Sequence, residues 1–324
     1  MGKKFTIGVL IGNVHTAHPK DLMRGIRAAA SGMDVNVIYF LGTQSVRFNQ
    51  KFALEDFDYQ YNTVYDYAKL AKVDVLIIAY GSLCIFQENE DKQAFLDKFA
   101  GIPYVLLEDA TDDPRGIYVM VDNYGGMQKC VEHLIIEHHL KHLVYLGGPE
   151  DNQDAIERKT AFLNVMAEHH LPVTPEMMAV GDYSEFVDNL VEQLLRDNPD
   201  AEAIISANDE MTVACYRVCK AHGLRIGKDI LITGFDDVER ARYSNPPLTT
   251  VSQDAYKMGQ IAVEKAVDIC ADRPVESVRL DAELIIRESC GCKVTRRAKE
   301  KADEKTELLH IIDELRLFQH KSWL

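Results

Sequence analysis

Short apolar segments alternate with amphipathic segments along most of this chain, and this alternation restricts its fold more than any other feature. The apolar segments are nearly continuous, as expected for parallel strands that are covered on both faces. They are Phe5–Ile11, Val35–Phe40, Val73–Ala79, Tyr104–Leu107, Tyr118–Val121, Leu143–Leu146, Ala203–Ser206 and Ile230–Thr233. Between them apolar residues recur at helical spacing, for example at Met127, Cys130, Val131 and Leu134. The pattern predicts doubly wound parallel α/β sheets.

Length and charge limit the number of domains and the possible partners. A chain of 324 residues suggests two lobes, because domains usually have about 150 residues. The formal net charge is −15, whereas nucleic-acid binding normally requires a basic surface, so we expect no nucleic acid contact by this chain. No apolar run reaches the roughly 18 residues that cross a bilayer, and the first residues enter a strand directly. We therefore expect a cytoplasmic protein with no membrane contact.

The cysteine and histidine residues raise the question of a metal site. Seven cysteines are scattered through the chain and are expected to be reduced thiols. Cys215 and Cys219 lie one helical turn apart, and Cys290 and Cys292 flank a glycine, but zinc requires four ligands that lie close together. The histidines of the same region are expected to lie on a helix and in a solvated turn: His133, His138, His139 and His142. We predict no metal and no cofactor.

Polar side chains follow several of the predicted strands. In open α/β sheets, ligands bind in the crevice beyond the carboxyl ends of the strands. The residues at these positions are Asn13, His15, Tyr80, Glu108, Asp182, Tyr183, Asn208, Asp209, Asp236 and Asp237. Buried acids and amides are costly unless they are hydrogen-bonded, so a ring of them around one crevice favours a ligand with many hydroxyl or amino groups. The tyrosine rings offer flat faces for a sugar or base.

Several segments resemble the effector-binding core of the LacI/GalR family, which is related to type I periplasmic sugar-binding proteins. The similarity covers about residues 4 to 290 and is most specific in the second lobe. The segments are VDNYGGMQKCVEHLI (Val121–Ile135), Arg158, VGDYS (Val180–Ser184), AIISANDEMTVAC (Ala203–Cys215), HGLRIGKDILITGFDD (His222–Asp237) and PPLTTVSQD (Pro246–Asp254). We expect the DNA-reading headpiece of the family to be absent, and Leu41–Asn62 matches no sugar-binding pattern.

The resemblance implies two Rossmann-like lobes joined by three crossover strands, with the ligand between them. The first lobe would contain 1–118 and 251–278, and the second 119–250 and 279–292. By position, Arg158 matches a donor to ligand oxygens and Tyr183 an aromatic platform. Asn208 matches an amide contact, Asp236 a carboxylate that accepts from sugar hydroxyls, and Gln253 a further polar contact. Asp237 would cap the following turn or helix.

The segment after residue 292 carries a separate indication. RESCGC (Arg287–Cys292) followed by a charged segment resembles bacterial sensors in which this core precedes a GGDEF diguanylate cyclase. Residues 293–324 are expected to form a connector helix with one apolar stripe, at Leu308, Ile311, Ile312, Leu315 and Phe318. One such stripe suits a dimeric coiled coil, so we expect a homodimer.

The most direct interpretation is a ligand-sensing domain that binds a small, sugar-like molecule and signals by hinge closure to an output domain. Two alternatives stay open. An exported receptor for sugar transport would share the fold, and adjacent acids at a strand end are also found in hydrolases and metal-dependent enzymes. No Walker-type loop or nucleophile elbow supports an enzyme, so we expect this chain to have no catalytic residues.

Overall fold

The computed structural model describes residues 4–43, 58–84, 89–111 and 113–293, and these form two α/β lobes. The elements up to residue 121 are β1 (Phe5–Gly12), α1 (Ala17–Ser31), β2 (Val35–Gly42), a 3-10 helix (Asp58–Asp66), α2 (Tyr67–Leu70), β3 (Val75–Ile78), α3 (Tyr80–Leu83), α4 (Asn89–Asp97), β4 (Tyr104–Leu107) and β5 (Gly116–Val121). The connector predicted at 293–324 lies almost entirely outside the described residues, as do 44–57 of the Leu41–Asn62 segment.

The elements that follow residue 122 continue the same alternation. They are α5 (Asn123–Glu132), a π-helical turn (His133–Glu137), β6 (Leu143–Gly147), α6 (Gln153–Glu168), a 3-10 turn (Pro175–Met177), β7 (Met178–Val180), α7 (Asp188–Asp197), β8 (Ala203–Ser206), α8 (Asp209–Ala221), β9 (Leu231–Asp236), α9 (Glu239–Tyr243), β10 (Thr249–Ser252), α10 (Ala255–Cys270), β11 (Val278–Leu280) and β12 (Glu283–Ile285). No helix among the described residues is long and apolar enough to cross a membrane.

The strands form two six-stranded sheets, one in each lobe. Their orders are β11-β5-β4-β3-β1-β2 and β12-β10-β9-β8-β6-β7. All pairings are parallel except that of β12 with β10. Every residue of β3 and β8 is buried, because helices cover both faces of each sheet. The prediction of two doubly wound lobes is confirmed, although the three-residue strands β11 and β12 were too short for their pattern to reveal.

The chain passes between the two sheets at three places, which lie near Asp122, Gln253 and Asp281. The backbone N–H of Asp122 donates to the carbonyl of Leu280 over 2.8 Å, so the first and third crossings lie side by side. The Asp122 carboxylate also caps α5 by accepting from the backbone of Gly125. The first and third crossings are therefore held together by a hydrogen bond as well as by chain connectivity.

The helices α1 and α10 pack closely on one face of the first sheet, and small residues permit the contact. A Cβ atom added to Gly25 would lie 1.9 Å from the carbonyl oxygen of Tyr256. Backbone cannot yield in the way that a flexible side chain can, so a larger residue here would separate the helices. Gly25 is therefore required by the close approach of α10.

We predict that Gly25→Ala lowers the free energy of unfolding by about 1–3 kcal/mol, the usual cost of an overpacked core. Gly32→Ala is the matched control, because the nearest atom to its added Cβ is 3.6 Å away and its φ is −87°. Urea unfolding of both variants measures the difference. Equal stability of the two variants would contradict the close helix contact.

Candidate functional site

Arg158 is the central residue of the site, where it stands on α6 with only 2% of its surface exposed. Its Nε donates to Asn123 over 2.8 Å and its Nη1 donates to the carbonyl of Ala207 over 2.7 Å. The guanidinium also stacks over the ring of Phe235, 3.8 Å from the ring centroid. These contacts hold a buried positive charge in one orientation at the edge of the second sheet.

Two carboxylates lie beside this guanidinium without making close hydrogen bonds to it. Arg158 Nη2 is 3.7 Å from Asp154, and Nη1 is 3.5 Å from Asp236. Charge-assisted hydrogen bonds are about 2.7–2.9 Å long, so both pairs are longer than direct contacts. The two acids keep 19% and 17% of their side chains exposed, whereas Arg158 keeps 3%. Solvent therefore reaches the space next to the charged groups.

Asp236 ends β9 and points towards the crossing at Gln253, whose side-chain amide donates to its carboxylate. Burial raises the pKa of Asp236, although the nearby charges of Arg158 and His18 favour its ionised form. Asp236 has a φ of 119°, a rare backbone conformation for a residue other than glycine. Such strain persists only where the surroundings fix it, and it often marks functional sites.

The first lobe contributes an ion pair that the sequence indicated only in part. Glu108 lies 2.6 Å from His18, and it also accepts hydrogen bonds from the backbone and the hydroxyl of Ser82. Burial opposes ionisation of Glu108, but His18 and Ser82 together hold its pKa below the usual value. Burial likewise opposes protonation of His18, but Glu108 and Asp236 raise its pKa overall.

The charges of His18 in the first lobe and Asp236 in the second lobe are opposite, so each favours the ionised form of the other. The strand-end rule indicated His15 because it follows β1 directly, yet His15 is exposed. His18 lies in the first turn of α1, so its side chain reaches Glu108 at the end of β4. The available indication of His18 in the sequence was its position immediately before Pro19, early in a helix.

The remaining residues predicted in the second lobe have structural partners. The Asn208 amide donates to the Tyr183 carbonyl over 3.1 Å, and its oxygen caps α8 by accepting from Met211. The Tyr183 hydroxyl donates to Asn152 over 3.2 Å. Asn208 thus positions the Tyr183 loop, while the half-buried ring of Tyr183 stays beside the site.

Two further predictions for the first lobe concern residues that the structure uses for packing and for a turn. Tyr80 is buried in the first-lobe core, where its ring contacts Phe95 at 6.5 Å between centroids. It therefore packs the core instead of lining the cleft. Asn13 has a φ of 50°, and its carbonyl accepts from Thr16 in a turn.

The adjacent acids Asp236 and Asp237 have different roles. The prediction that Asp237 caps a turn is wrong, because Arg287 donates to its carboxylate over 2.5 Å and Arg242 over 3.4 Å. Arg287 also donates to the carbonyl of Leu248. Asp237 therefore ties the chain after β12 to the second lobe, and Asp236 alone faces the cleft.

The expectation that His133 lies on a helix is confirmed, but the expectation of a solvated turn is wrong for His138, which is partly buried. His133 is 9% exposed, and its Nε2 lies 3.5 Å from the sulfur of Cys290. His138 lies 3.4 Å from the sulfur of Cys292. These four side chains form a compact group on the second lobe, whereas Cys215 and Cys219 are buried in the core.

A pocket of about 240 Å³ lies apart from the charged groups of the cleft, between α6 and the strand β7. It is lined by residues such as Tyr145, Leu163 and Val180, and neither Arg158 nor Asp236 belongs to it. This pocket is therefore separate from the pair formed by Arg158 and Asp236.

The two lobes, the three crossings and the charged cleft define a type I periplasmic-binding-protein-like fold. Residues 131–290 match the family model described as a periplasmic binding protein-like domain. The solved complex of the transcriptional regulator CelR with cellobiose superposes with a TM-score of 0.73 at 23% identity, covering 89% of this chain and 86% of that one. A dimeric Lac repressor gives 0.73 at 23% identity, with 88% and 98% covered.

Curated proteins with similar sequences are HTH-type transcriptional regulators. CelR from Thermobifida fusca is 30% identical over 218 residues, which are 64% of this chain and 63% of that protein. PurR from Aliivibrio fischeri strain MJ11 is 28% identical over 225 residues, 67% and 64% of the two chains. The chain thus spans just under two thirds of the length of these relatives. Its two lobes share the periplasmic-binding-protein-like fold of the solved LacI-type cores.

Asp154 gives a pH-dependent prediction. Burial raises its pKa to about 7 even though Arg158 favours the ionised form. The unfolded chain ionises near its ordinary pKa of about 3.9, so the folded state holds the extra proton between about pH 4 and pH 7. Native stability contributed by this proton is present at acidic pH and is lost as the pH rises through this window.

We predict that Asp154→Asn removes this loss and is more stable than the parent at pH 8, by roughly 1–4 kcal/mol. The stability gain should grow from pH 4 to pH 7 and become constant above pH 8. Urea unfolding at each pH measures it. A gain that is independent of pH would show that Asp154 ionises normally in the folded protein.

Proposed function

We propose that this chain is a ligand-sensing domain that binds a small, uncharged, hydroxylated molecule between its lobes. Binding would close the hinge and pass a signal to an output domain. Arg158, Asp236, Gln253 and Tyr183 would contact the ligand from the second lobe and the crossings. Glu108 and His18 would contact it from the first lobe, with Asn13 and His15 at the rim.

The observation that carries this proposal is the spacing around Arg158. Its guanidinium is fixed by neutral groups, while Asp154 and Asp236 stand 3.5–3.7 Å away and partly exposed. A ligand hydroxyl can donate to a carboxylate and accept from a guanidinium at the same time, so a hydroxyl group inserted here would complete both hydrogen bonds. A sugar presents several hydroxyls in a fixed arrangement, with a carbon face for Tyr183.

The charge balance of the cleft supports a neutral ligand. Arg158 and His18 offset Glu108 and Asp236, and the raised pKa of Asp154 reduces its charge near neutral pH. A bound anion or cation would leave one buried charge without a partner, which is costly. The solved CelR structure is a complex with cellobiose, and that disaccharide is uncharged.

Hinge closure would be the signal. A ligand shifts a conformational equilibrium only if it binds one state more tightly, so contacts from both lobes are needed. The pair of His18 and Glu108 on the first lobe and the pair of Arg158 and Asp236 on the second lobe would provide these contacts. We propose that closure reorients a homodimer and the connector at 293–324. The output would be a DNA-binding domain, as in the relatives, or a diguanylate cyclase.

Isothermal titration with a panel of neutral mono- and disaccharides, including cellobiose, tests the proposal. Asp236→Asn and Arg158→Gln should each weaken binding of a sugar hit by at least about 10-fold, since hydrogen bonds to charged groups contribute about 1.5–3 kcal/mol. Lys159→Ala is the matched control, because Lys159 is the next residue on α6 and its side chain is 38% exposed. It should leave affinity unchanged.

The competing functions give different results in the same samples. Tighter binding of uronic acids than of the matching neutral sugars would overturn the assignment of an uncharged ligand. Steady conversion of a bound sugar to product would identify an enzyme. A decrease in the radius of gyration on ligand addition, measured by X-ray scattering, is expected for closure, and binding without such a decrease would argue against hinge signalling.

A further inference from the structure

The four side chains of His133, His138, Cys290 and Cys292 form a group that the cleft does not use. Their candidate ligand atoms, one from each residue, all lie within 4.8 Å of one another. His133 begins the π-helical turn that follows α5, His138 comes directly after that turn, and the cysteines follow β12. Residues separated by more than 150 positions therefore meet at one point on the second lobe.

The distances agree with tetrahedral coordination. With Zn–N bonds of about 2.05 Å and Zn–S bonds of about 2.3 Å, a tetrahedron places two nitrogens about 3.3 Å apart and a nitrogen and sulfur about 3.6 Å apart. The two imidazole Nε2 atoms are 3.3 Å apart. The nitrogen–sulfur distances are 3.5 Å for His133 to Cys290, 3.7 Å for His133 to Cys292 and 3.4 Å for His138 to Cys292.

The backbone around the histidines supports the same interpretation. An α-helix turns about 100° per residue, so positions five apart would point about 140° away from each other. The π-helical turn from His133 to Glu137 is wider, and it brings the side chains of His133 and His138 to one side. Single π turns within helices are rare and frequently occur at functional sites.

The cysteine segment is also arranged for this purpose. Gly291 has a φ of +84°, a conformation that glycine adopts without strain, and it directs Cys290 and Cys292 to the same side of the chain. Ser289, the residue before Cys290, is held in place because its hydroxyl donates to the carbonyl of Ile232 and accepts from the backbone N–H of Thr249. Cys290 is fully buried, which protects it from solvent oxidants.

We propose that His133, His138, Cys290 and Cys292 bind a Zn²⁺ ion as a Cys₂His₂ site. Two sulfur and two nitrogen ligands suit zinc in a tetrahedral geometry. Both thiols lose their protons on binding, so uptake of one ion gives a zinc dithiolate and releases two protons. All four positions are filled by protein, and the ion is therefore structural.

The proposed ion would fasten the last described residues of the chain to the end of α5. It would join the segment after β12 to a helix of the second lobe, next to the ion pair of Arg287 with Asp237. A crosslink between distant positions stabilises the fold because it restricts the unfolded chain. The site lies on the second lobe and needs no ligand in the cleft.

The test uses the purified chain, reduced and stripped of metal with a chelator, then titrated with Co²⁺ as a spectroscopic probe. We expect saturation at one ion per chain, with thiolate charge-transfer absorption and the intense visible bands of tetrahedral Co²⁺. Zn²⁺ should displace the Co²⁺ and raise the melting temperature. His138→Gln and Cys292→Ser should lose stoichiometric uptake, and circular dichroism verifies that each variant is folded.

Two variants serve as matched controls. His139→Gln changes the exposed histidine next to His138, and Cys270→Ser removes a thiol elsewhere; both should keep full uptake. Absence of saturable Co²⁺ binding by the reduced parent chain would overturn the proposal. The proposal is also overturned if Cys292→Ser and His138→Gln bind Co²⁺ as tightly as the parent. It is likewise overturned if the parent forms a Cys290–Cys292 disulfide and takes up no metal after that disulfide is reduced.

Discussion

The buried guanidinium of Arg158 is the constraint on which the cleft depends. A positive charge that is almost fully removed from water must be compensated locally, and α5, α6, β8 and β9 each supply a group that does so. Asn123 and Ala207 satisfy its hydrogen bonds, and the ring of Phe235 supports its face. The carboxylates of Asp154 and Asp236 balance its charge at a distance, and their remaining exposure leaves them accessible to the ligand proposed for the cleft.

The fold could be predicted from sequence because its elements follow local rules. Continuous apolar runs such as Val75–Ile78 and Ala203–Ser206 have few alternatives to buried parallel strands. The strand-end rule also placed Glu108, Asp236 and Tyr183 at the correct edge of the sheets. The strands β11 and β12 escaped prediction because three residues give too little periodicity, and their positions depend on pairing with β5 and β10.

The side-chain partners could be predicted only in part, since strand ends fix a position but not a direction. Tyr80 follows β3 as Glu108 follows β4, yet its ring turns into the first-lobe core. His18 was missed because helix geometry, rather than a strand end, brings it to Glu108. The histidines and cysteines were considered in the sequence, but their meeting in one group could not be predicted for a similar reason. Its members are far apart in sequence, and their spacing resembles no known local motif until the fold brings them together.

The crossing at Gln253 has a consequence for how the molecule moves. Gln253 lies between β10 of the second sheet and α10 of the first lobe, and its amide holds the carboxylate of Asp236. In the proposed hinge closure, the crossing that flexes would therefore also touch the carboxylate that is proposed to bind the ligand. A change in the partner of Asp236 would then act directly on a torsion of the connecting strand, without a relay of intervening side chains.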